Sequence, residues 1–325
     1  MKQLGLFASA PPRSTSDLDA DQHLAARLPQ GLHLGPSSWT FEGWEGIVYP
    51  PGTRREEIID HGLAMVARHP LFRTVGIDRS HYAPLDEATL CTYREQLPPG
   101  FRCVIKAWGA FSTLFDSRTQ APSPGFLDAA GCEATVVAPL ARFFHEHTGP
   151  VVFQFAPIPA RHLPRPEAFA AQIDRFFGDL STALPYAVEI RNRELLVPAY
   201  FDALARHGVA HVLNLWERMP TVGEQLTIPG VFTAKHVVAR LSIVPDNRYE
   251  EQKKRFMPFN RIAIVADEAR ASVVALARAA RRQQRTLFVT VNNKVEGCSP
   301  LTVRALIEQI VADVDSEEAA VAAPG

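Results

Sequence analysis

The amino-acid sequence predicts an α/β fold, a (β/α)8 TIM barrel in a single domain, and three observations carry that expectation. Eight short apolar runs lie between Leu32 and Val314, and seven of them are followed by a stretch of helical periodicity. The last inward-facing residue of every one of those runs is polar, whereas the inward positions beneath are mostly small or apolar. The glycine fingerprint that marks a dinucleotide-binding open sheet is absent from the sequence.

The elements follow in order. Leu32 to Trp39 is the first apolar run, and Arg54 to Arg68 follows with helical spacing at Ile58, Ile59, Leu63 and Val66. Thr74 to Asp78 precedes a helix at Asp86 to Gln96, and Phe101 to Trp108 precedes one at Glu133 to Glu146. Val151 to Phe155 leads to a helix over Pro166 to Phe177, whose proline suits a first turn. Ala187 to Arg191 leads to Pro198 to Arg206. Ala210 to Asn214 is followed by a stretch, Trp216 to Phe232, in which no helix is placed. Val237 to Leu241, the long Arg-rich helix Asp267 to Gln284, Thr286 to Asn292 and the helix Leu301 to Val314 complete the set.

Residues 32–314 are thus expected to form the barrel, with flexible tails at 1–31 and 315–325, because the ends are too small and polar to bury much surface. Charge is nearly balanced, 34 Lys plus Arg against 35 Asp plus Glu, so affinity for phosphate must be local rather than a property of the whole surface. No apolar run spans a bilayer and no signal-peptide pattern opens the chain, which points to the cytoplasm and to no membrane partner. Cys91, Cys103, Cys132 and Cys298 lie far apart and read as reduced thiols. Within the N-terminal segment, Gln3, Leu4, Leu6 and Phe7 resemble the pentapeptide with which bacterial DNA polymerases and repair proteins dock on the replication sliding clamp. A chance cluster, or a segment packing on its own domain, is the alternative.

In a TIM barrel the functional mouth lies at the carboxyl ends of the strands. Strand parity places Ser38, Asp78, Lys106, Gln154, Glu189 with Arg191, Asn214, Arg240 and Asn292 there. Gly76, Val104, Val152, Ala187, Val212, Val238 and Thr290 lie one inward step earlier. Lys106, Arg191 and Arg240 outnumber Asp78 and Glu189 by one, which suits an anionic ligand held by guanidinium forks. A purely structural ion-pair network is the competing reading, and Gln154, Asn214 and Asn292 are equally suited to organising loops.

Glu189 fits a general base, and Lys106 an acid, an electrostatic stabiliser or a Schiff-base amine, with Asp78 a further carboxylate. Trp39, Trp44, Tyr49, Tyr82, Trp108 and Trp216 follow strand ends, where they either cover core or wall a ligand site. Metal ligation has little support: His81, His236, Asp78 and Glu189 are the conceivable ligands, and no His-x-His or His-Glu-x-x-His occurs. Neither a metal nor a cofactor is expected, and no Gly-x-Ser-x-Gly elbow is present.

Leu34-Gly35-Pro36-Ser37-Ser38-Trp39, followed by Trp44 and Tyr49-Pro50, resembles the opening motif of the domain of unknown function 72, or YecE-like, family. The resemblance continues through Thr74-Val75 with Tyr82, Phe101 to Lys106-Ala107, Phe153-Gln154-Phe155 and Val188-Glu189-Ile190-Arg191. It ends with Ala239-Arg240-Leu241 and with Asn292-Asn293 before Glu296-Gly297. It implies a TIM barrel and no established activity. The chain departs from the pattern at Gly76, where the family has Glu, at Asp78, where it has Asn, and at Asn192 and Ser242, where it has His.

Two functions compete at this stage. One is an enzyme that binds a small anionic ligand, phosphorylated or nucleotide-like, at the mouth and works by metal-independent acid/base chemistry. Ser38, Trp39, Tyr82, Gln154, Arg191, Asn214, Arg240, Asn292 and Asn293 would then surround the substrate. The other is a non-catalytic or DNA-associated module recruited to the sliding clamp through residues 3–7. Direct nucleic-acid binding would require a basic strip over Arg281, Arg282 and Arg285, residues that otherwise read as a solvated helix face.

Overall fold

Eight strands, each apolar on the side facing the helices, pair in parallel to close almost into a barrel. The computed structural model describes residues 15–115, 119, 121–244 and 249–322. The strands are β1 (Leu32–Pro36), β2 (Gly76–Ile77), β3 (Cys103–Lys106), β4 (Thr148–Gln154), β5 (Tyr186–Glu189), β6 (Ala210–Leu215), β7 (His236–Leu241) and β8 (Thr286–Val291). Their hydrogen-bonded order is β1-β8-β7-β6-β5-β4-β3-β2.

The helices are α1 (Thr15–Arg27), α2 (Arg55–Arg68), α3 (Glu87–Gln96), α4 (Ala129–Cys132), α5 (Ala138–Phe143), α6 (Pro166–Asp179), α7 (Pro198–Arg206), α8 (Val222–Leu226), α9 (Tyr249–Phe256), α10 (Asp267–Arg282) and α11 (Ser299–Ala322). A π-helical turn, Glu133–Val137, joins α4 to α5.

Strand parity predicts the interior well. Val104, Val152, Ala187, Ala210, Val212, Ala234, Val238 and Phe288 form a small buried cluster inside the barrel, separate from the large core between strands and helices. β1 and β2 meet where the chain has no side chain to interpose. The Arg73 amide donates to the Leu34 carbonyl at 3.0 Å. A Cβ at Gly35 would lie 1.7 Å from the Thr74 oxygen, and one at Gly76 would lie 2.5 Å from the Ser37 oxygen. A side chain at position 76 therefore does not fit this backbone unless β1 shifts.

The termini differ from the expected boundaries. Residues 15–27, placed by sequence in a tail, form α1, and residues 315–322 continue α11 beyond Val314. The cause is tertiary. The Arg73 guanidinium donates to the carbonyls of Ala25, Leu28 and Pro29 at 2.8–2.9 Å, satisfying the otherwise orphaned C-terminal end of α1. Asp21 of α1 is fully buried beside Arg304 of α11, at 3.0 Å, and Arg27 pairs with Asp315. Glu317 draws in Arg281 at 3.1 Å and Arg282 at 2.8 Å.

Two further helices lie where sequence places none. The short α8 starts at a capping box in which Thr221 and Glu224 bond each other's backbone amides. The other, α9, reads Tyr-Glu-Glu-Gln-Lys-Lys-Arg-Phe and lacks the apolar periodicity on which a sequence assignment depends. No helix among the described residues is long and apolar enough to cross a membrane. Cys103, Cys132 and Cys298 are buried outside any disulfide, and Cys91 is partly buried.

Candidate functional site

Six of the predicted mouth residues come together as one bonded network. Glu189 leaves the end of β5 with a fully buried carboxylate. Its Oε1 accepts from Arg191 Nε at 2.9 Å, and its Oε2 accepts from Arg240 Nη1. Gln154 Oε1 accepts from Arg191 Nη2 and from Arg240 Nη1, both at 2.9 Å, so one amide ties the two guanidiniums together. Arg240 reaches Asp78 across the barrel at 3.2 Å, and Asp78 also holds Lys106 Nζ at 3.2 Å. Arg191 lies flat on Trp216, its guanidinium carbon 3.5 Å from the ring centroid.

These contacts determine how the groups ionise. Burial by itself raises the pKa of the Glu189 carboxyl, but Arg240, Arg191 and Lys106 together overcome that and hold it down to about 2. Burial lowers the Lys106 amine to about 8, assisted by the charge of Arg240 and opposed by Asp78 and Glu189. Glu189 is therefore a permanently ionised anchor for two guanidiniums, with both oxygens occupied. A pKa this low lies far from the working pH at which a general base is most effective. Lys106 has the pKa for proton transfer, and Asp78, whose side chain is 29% exposed, is the carboxylate that solvent or a ligand can reach.

Other predicted residues lie around this network. Asn214 Nδ2 donates to the Ile190 carbonyl at 2.7 Å, bracing β6 against the turn after β5. Asn293 Oδ1 accepts from Trp44 Nε1 at 3.2 Å and from the Ser299 amide at 2.7 Å, locking the start of α11 to the loop after β1. Trp39 is buried edge-on against Tyr93, with ring centroids 5.4 Å apart, and so belongs to the helix-side core. Tyr82 is 83% exposed, and Ser38 is partly buried while its neighbour Ser37 accepts from Asn292 Nδ2 at 3.1 Å. Residues 3–7 lie outside the described residues.

Lys294 belongs to the mouth, although strand parity from β8 stops at Asn292. Its ammonium is buried 3.3 Å from Asn292 Oδ1 and over the Phe259 ring. Burial lowers its pKa to about 8, aided by Lys253 of α9 and opposed by Glu250 and Asp78. Strand parity does not reach it, because β8 ends at Val291 and Lys294 lies in the turn that follows. A cleft of about 760 Å³ opens from Arg191 between the loops after β4, β5 and β6, lined also by Ile158, Arg193, Glu217 and Arg218. Asn192 fixes one wall: it accepts from the Ile158 amide at 2.7 Å and donates to the Ile158 carbonyl at 3.0 Å.

Among the described residues, no group of three or more His, Cys, Asp or Glu is placed to hold a metal ion. The Arg-rich face of α10 is largely neutralised, since Arg278 pairs with Asp313 while Arg281 and Arg282 pair with Glu317.

The same architecture recurs in solved structures. A DUF72 family protein from Thermotoga maritima MSB8 superposes with a TM-score of 0.57 at 14% identity, covering 87% of this chain and 99% of that one. One from Enterococcus faecalis V583 gives 0.57 at 15% identity, covering 86% and 95%. Identities this low establish shared fold alone. No curated protein matches the chain. The family model described as protein of unknown function DUF72 matches residues 33–324. The chain therefore belongs to the DUF72 family.

Proposed function

We propose that this protein is an enzyme whose barrel mouth binds an anionic substrate, phosphorylated or nucleotide-like, and acts on it by acid/base chemistry. The observation that carries the reading is the Lys106–Asp78 pair, a lysine brought near neutrality by burial and held 3.2 Å from a partly exposed carboxylate. Arg191 and Arg240, oriented by Glu189 and Gln154, bring two guanidinium charges to the same network. Preorganised forks of this kind suit the oxygens of a phosphate or carboxylate, where charge must be held without reorganisation. Lys106 then donates or accepts the proton, and Asp78 serves as its exchange partner.

The test is a screen of phosphorylated metabolites and nucleotides with the full chain, followed by variants. Lys106→Ala and Asp78→Asn abolish turnover of any hit while the thermal melt stays cooperative. Turnover that survives Lys106→Ala would remove the assignment. A second reading is a module carried to the sliding clamp, and it rests on the sequence Gln3-Leu4-Gly5-Leu6-Phe7. Titrating a labelled peptide of residues 1–12 with the clamp tests it. Binding that Leu6→Ala and Phe7→Ala abolish supports the reading, and absence of binding ends it.

A further inference from the structure

We infer that Lys106 is a nucleophile as well as a proton-transfer group, and that it condenses with a small anionic carbonyl compound, in the simplest case a 2-oxo acid, to form an imine. The inference deepens the reading of the mouth as an acid/base site, and it rests on that reading for the negative charge of the ligand.

An amine attacks a carbonyl only when unprotonated, so a lysine with this chemistry has to be drawn out of water where a ligand can still enter. Lys106 meets both conditions. It ends β3 on the inward face of the barrel, with its side chain 11% exposed. An apolar hollow lined by Lys106 together with Leu85, Ile105, Trp108, Val136 and Leu140 surrounds its stem. Burial, with the charges of Arg240 and Arg191, brings the amine down to about 8 against the opposing charges of Asp78 and Glu189. Lys235, Lys253 and Lys254 are by contrast exposed.

Condensation also needs a group that carries protons between nitrogen and oxygen, and Asp78 is placed for it. Its carboxylate lies 3.2 Å from Lys106 Nζ, is 29% exposed, and is held by Arg240 at 3.2 Å. The ammonium first passes one proton to Asp78. The freed lone pair adds to the carbonyl carbon, the carbonyl π pair moves to oxygen, and the oxygen takes that proton from Asp78. A second proton then leaves nitrogen for Asp78 and is handed to the hydroxyl. The C–O bond breaks, and water departs as the nitrogen lone pair closes the C=N bond. One ammonium and one carbonyl thus give one protonated imine and one water, with Asp78 returned to its starting state.

The experiment is reductive trapping. The full chain is incubated at pH 7 with pyruvate or acetone and cyanoborohydride, which adds hydride to the imine carbon and leaves a stable secondary amine. Peptide mass mapping then gives the rate at each lysine. Pyruvate should label Lys106 at least about tenfold faster than Lys235, Lys253 and Lys254, since an amine near 8 is about a tenth unprotonated at pH 7 and an ordinary lysine far less. Lys106→Arg should lose that label. Asp78→Asn should slow labelling of Lys106 at least about tenfold. Removing the opposing carboxylate leaves more of the amine unprotonated, so slower labelling reports lost proton transfer rather than a change in amine charge. Equal rates at Lys106 and the exposed lysines, or a rate that Asp78→Asn leaves unchanged or raises, would overturn the inference. The proton-transfer reading is tested separately, by turnover in Lys106→Ala. Acetone labelling Lys106 as strongly as pyruvate, each measured against the exposed lysines, would overturn the anionic ligand and the anion reading beneath it. Thermal melts of the variants separate lost reactivity from lost folding.

Discussion

Replacing Glu189 by Gln removes one charge and almost no volume from the centre of the network. The side chain is fully buried, and it faces Arg191 and Arg240, whose side chains are 10% and 5% exposed. Breaking a buried ion pair by neutralising one partner costs about 3–5 kcal/mol, because the surviving charges keep their desolvation penalty and lose its compensation. Two guanidiniums are stranded here, so the upper part of that range applies. With about 2.1 cal/mol/K of unfolding entropy per residue over 325 residues, a loss of ~4 kcal/mol lowers Tm by about 6 °C. Calorimetry at pH 7 with urea unfolding as a cross-check measures it, and adding Arg240→Met should cost less than the sum of the two single changes. The change also alters acid sensitivity. The folded pKa, about 2, lies below the ordinary 4.5, so ionised Glu189 stabilises the fold above about pH 4.5 and that contribution is lost as pH falls toward 2. Glu189→Gln should flatten that part of the stability profile. An unchanged Tm together with an unchanged acid profile would refute the account of Glu189 as the anchor of the mouth.

Three other outcomes follow from the same geometry. Gly76→Ala sets a methyl 2.5 Å from the Ser37 carbonyl oxygen, forces β1 and β2 apart, and should cost about 1–3 kcal/mol in urea unfolding. Asn192→Ala removes two bonds to Ile158 and should cost about 1–3 kcal/mol, with faster amide exchange at Ile158 as the local readout. Phosphate affinity should fall as pH rises through about 8, where the Lys106 amine loses its proton. Over the same range stability should rise, because between about pH 8 and 10.5 the unfolded chain holds lysine protons that the folded chain lacks. Titrations from pH 6.5 to 9.5 on wild type and Lys106→Gln check both directions.

The barrel and much of its mouth were legible in the chain because both depend on period-two alternation, a local property. Val104, Val152, Ala187, Val212 and Val238 point inward as their parity requires, and Asp78, Lys106, Gln154, Glu189, Arg191 and Arg240 meet above them. Parity gives the direction of a side chain and says nothing about its partners. Asn214 and Asn293 each give one atom to the fold, Nδ2 to the Ile190 carbonyl and Oδ1 to Trp44, while Asn214 Oδ1 and Asn293 Nδ2 have no hydrogen-bond partner among the described residues. Trp39, similarly placed after a strand, turns into the core because Gly62 leaves room for its ring, 3.1 Å from where a Cβ would stand.

What the sequence by itself determined is the fold class, the order of its eight strands and the ring of polar residues at their carboxyl ends, since each rests on the pattern of neighbouring residues. Tertiary structure alone decided which charges pair. Glu189 is held ionised because Arg240, 51 residues away, closes on it. Lys106 acquires a pKa near 8 because folding removes it from water beside Arg240. Helix α1 exists against a weak local pattern because Arg73 caps it from a distance of 44 to 48 residues along the chain. Ionisation and capping depend on what folding brings within a few ångströms, and sequence spacing does not contain that distance.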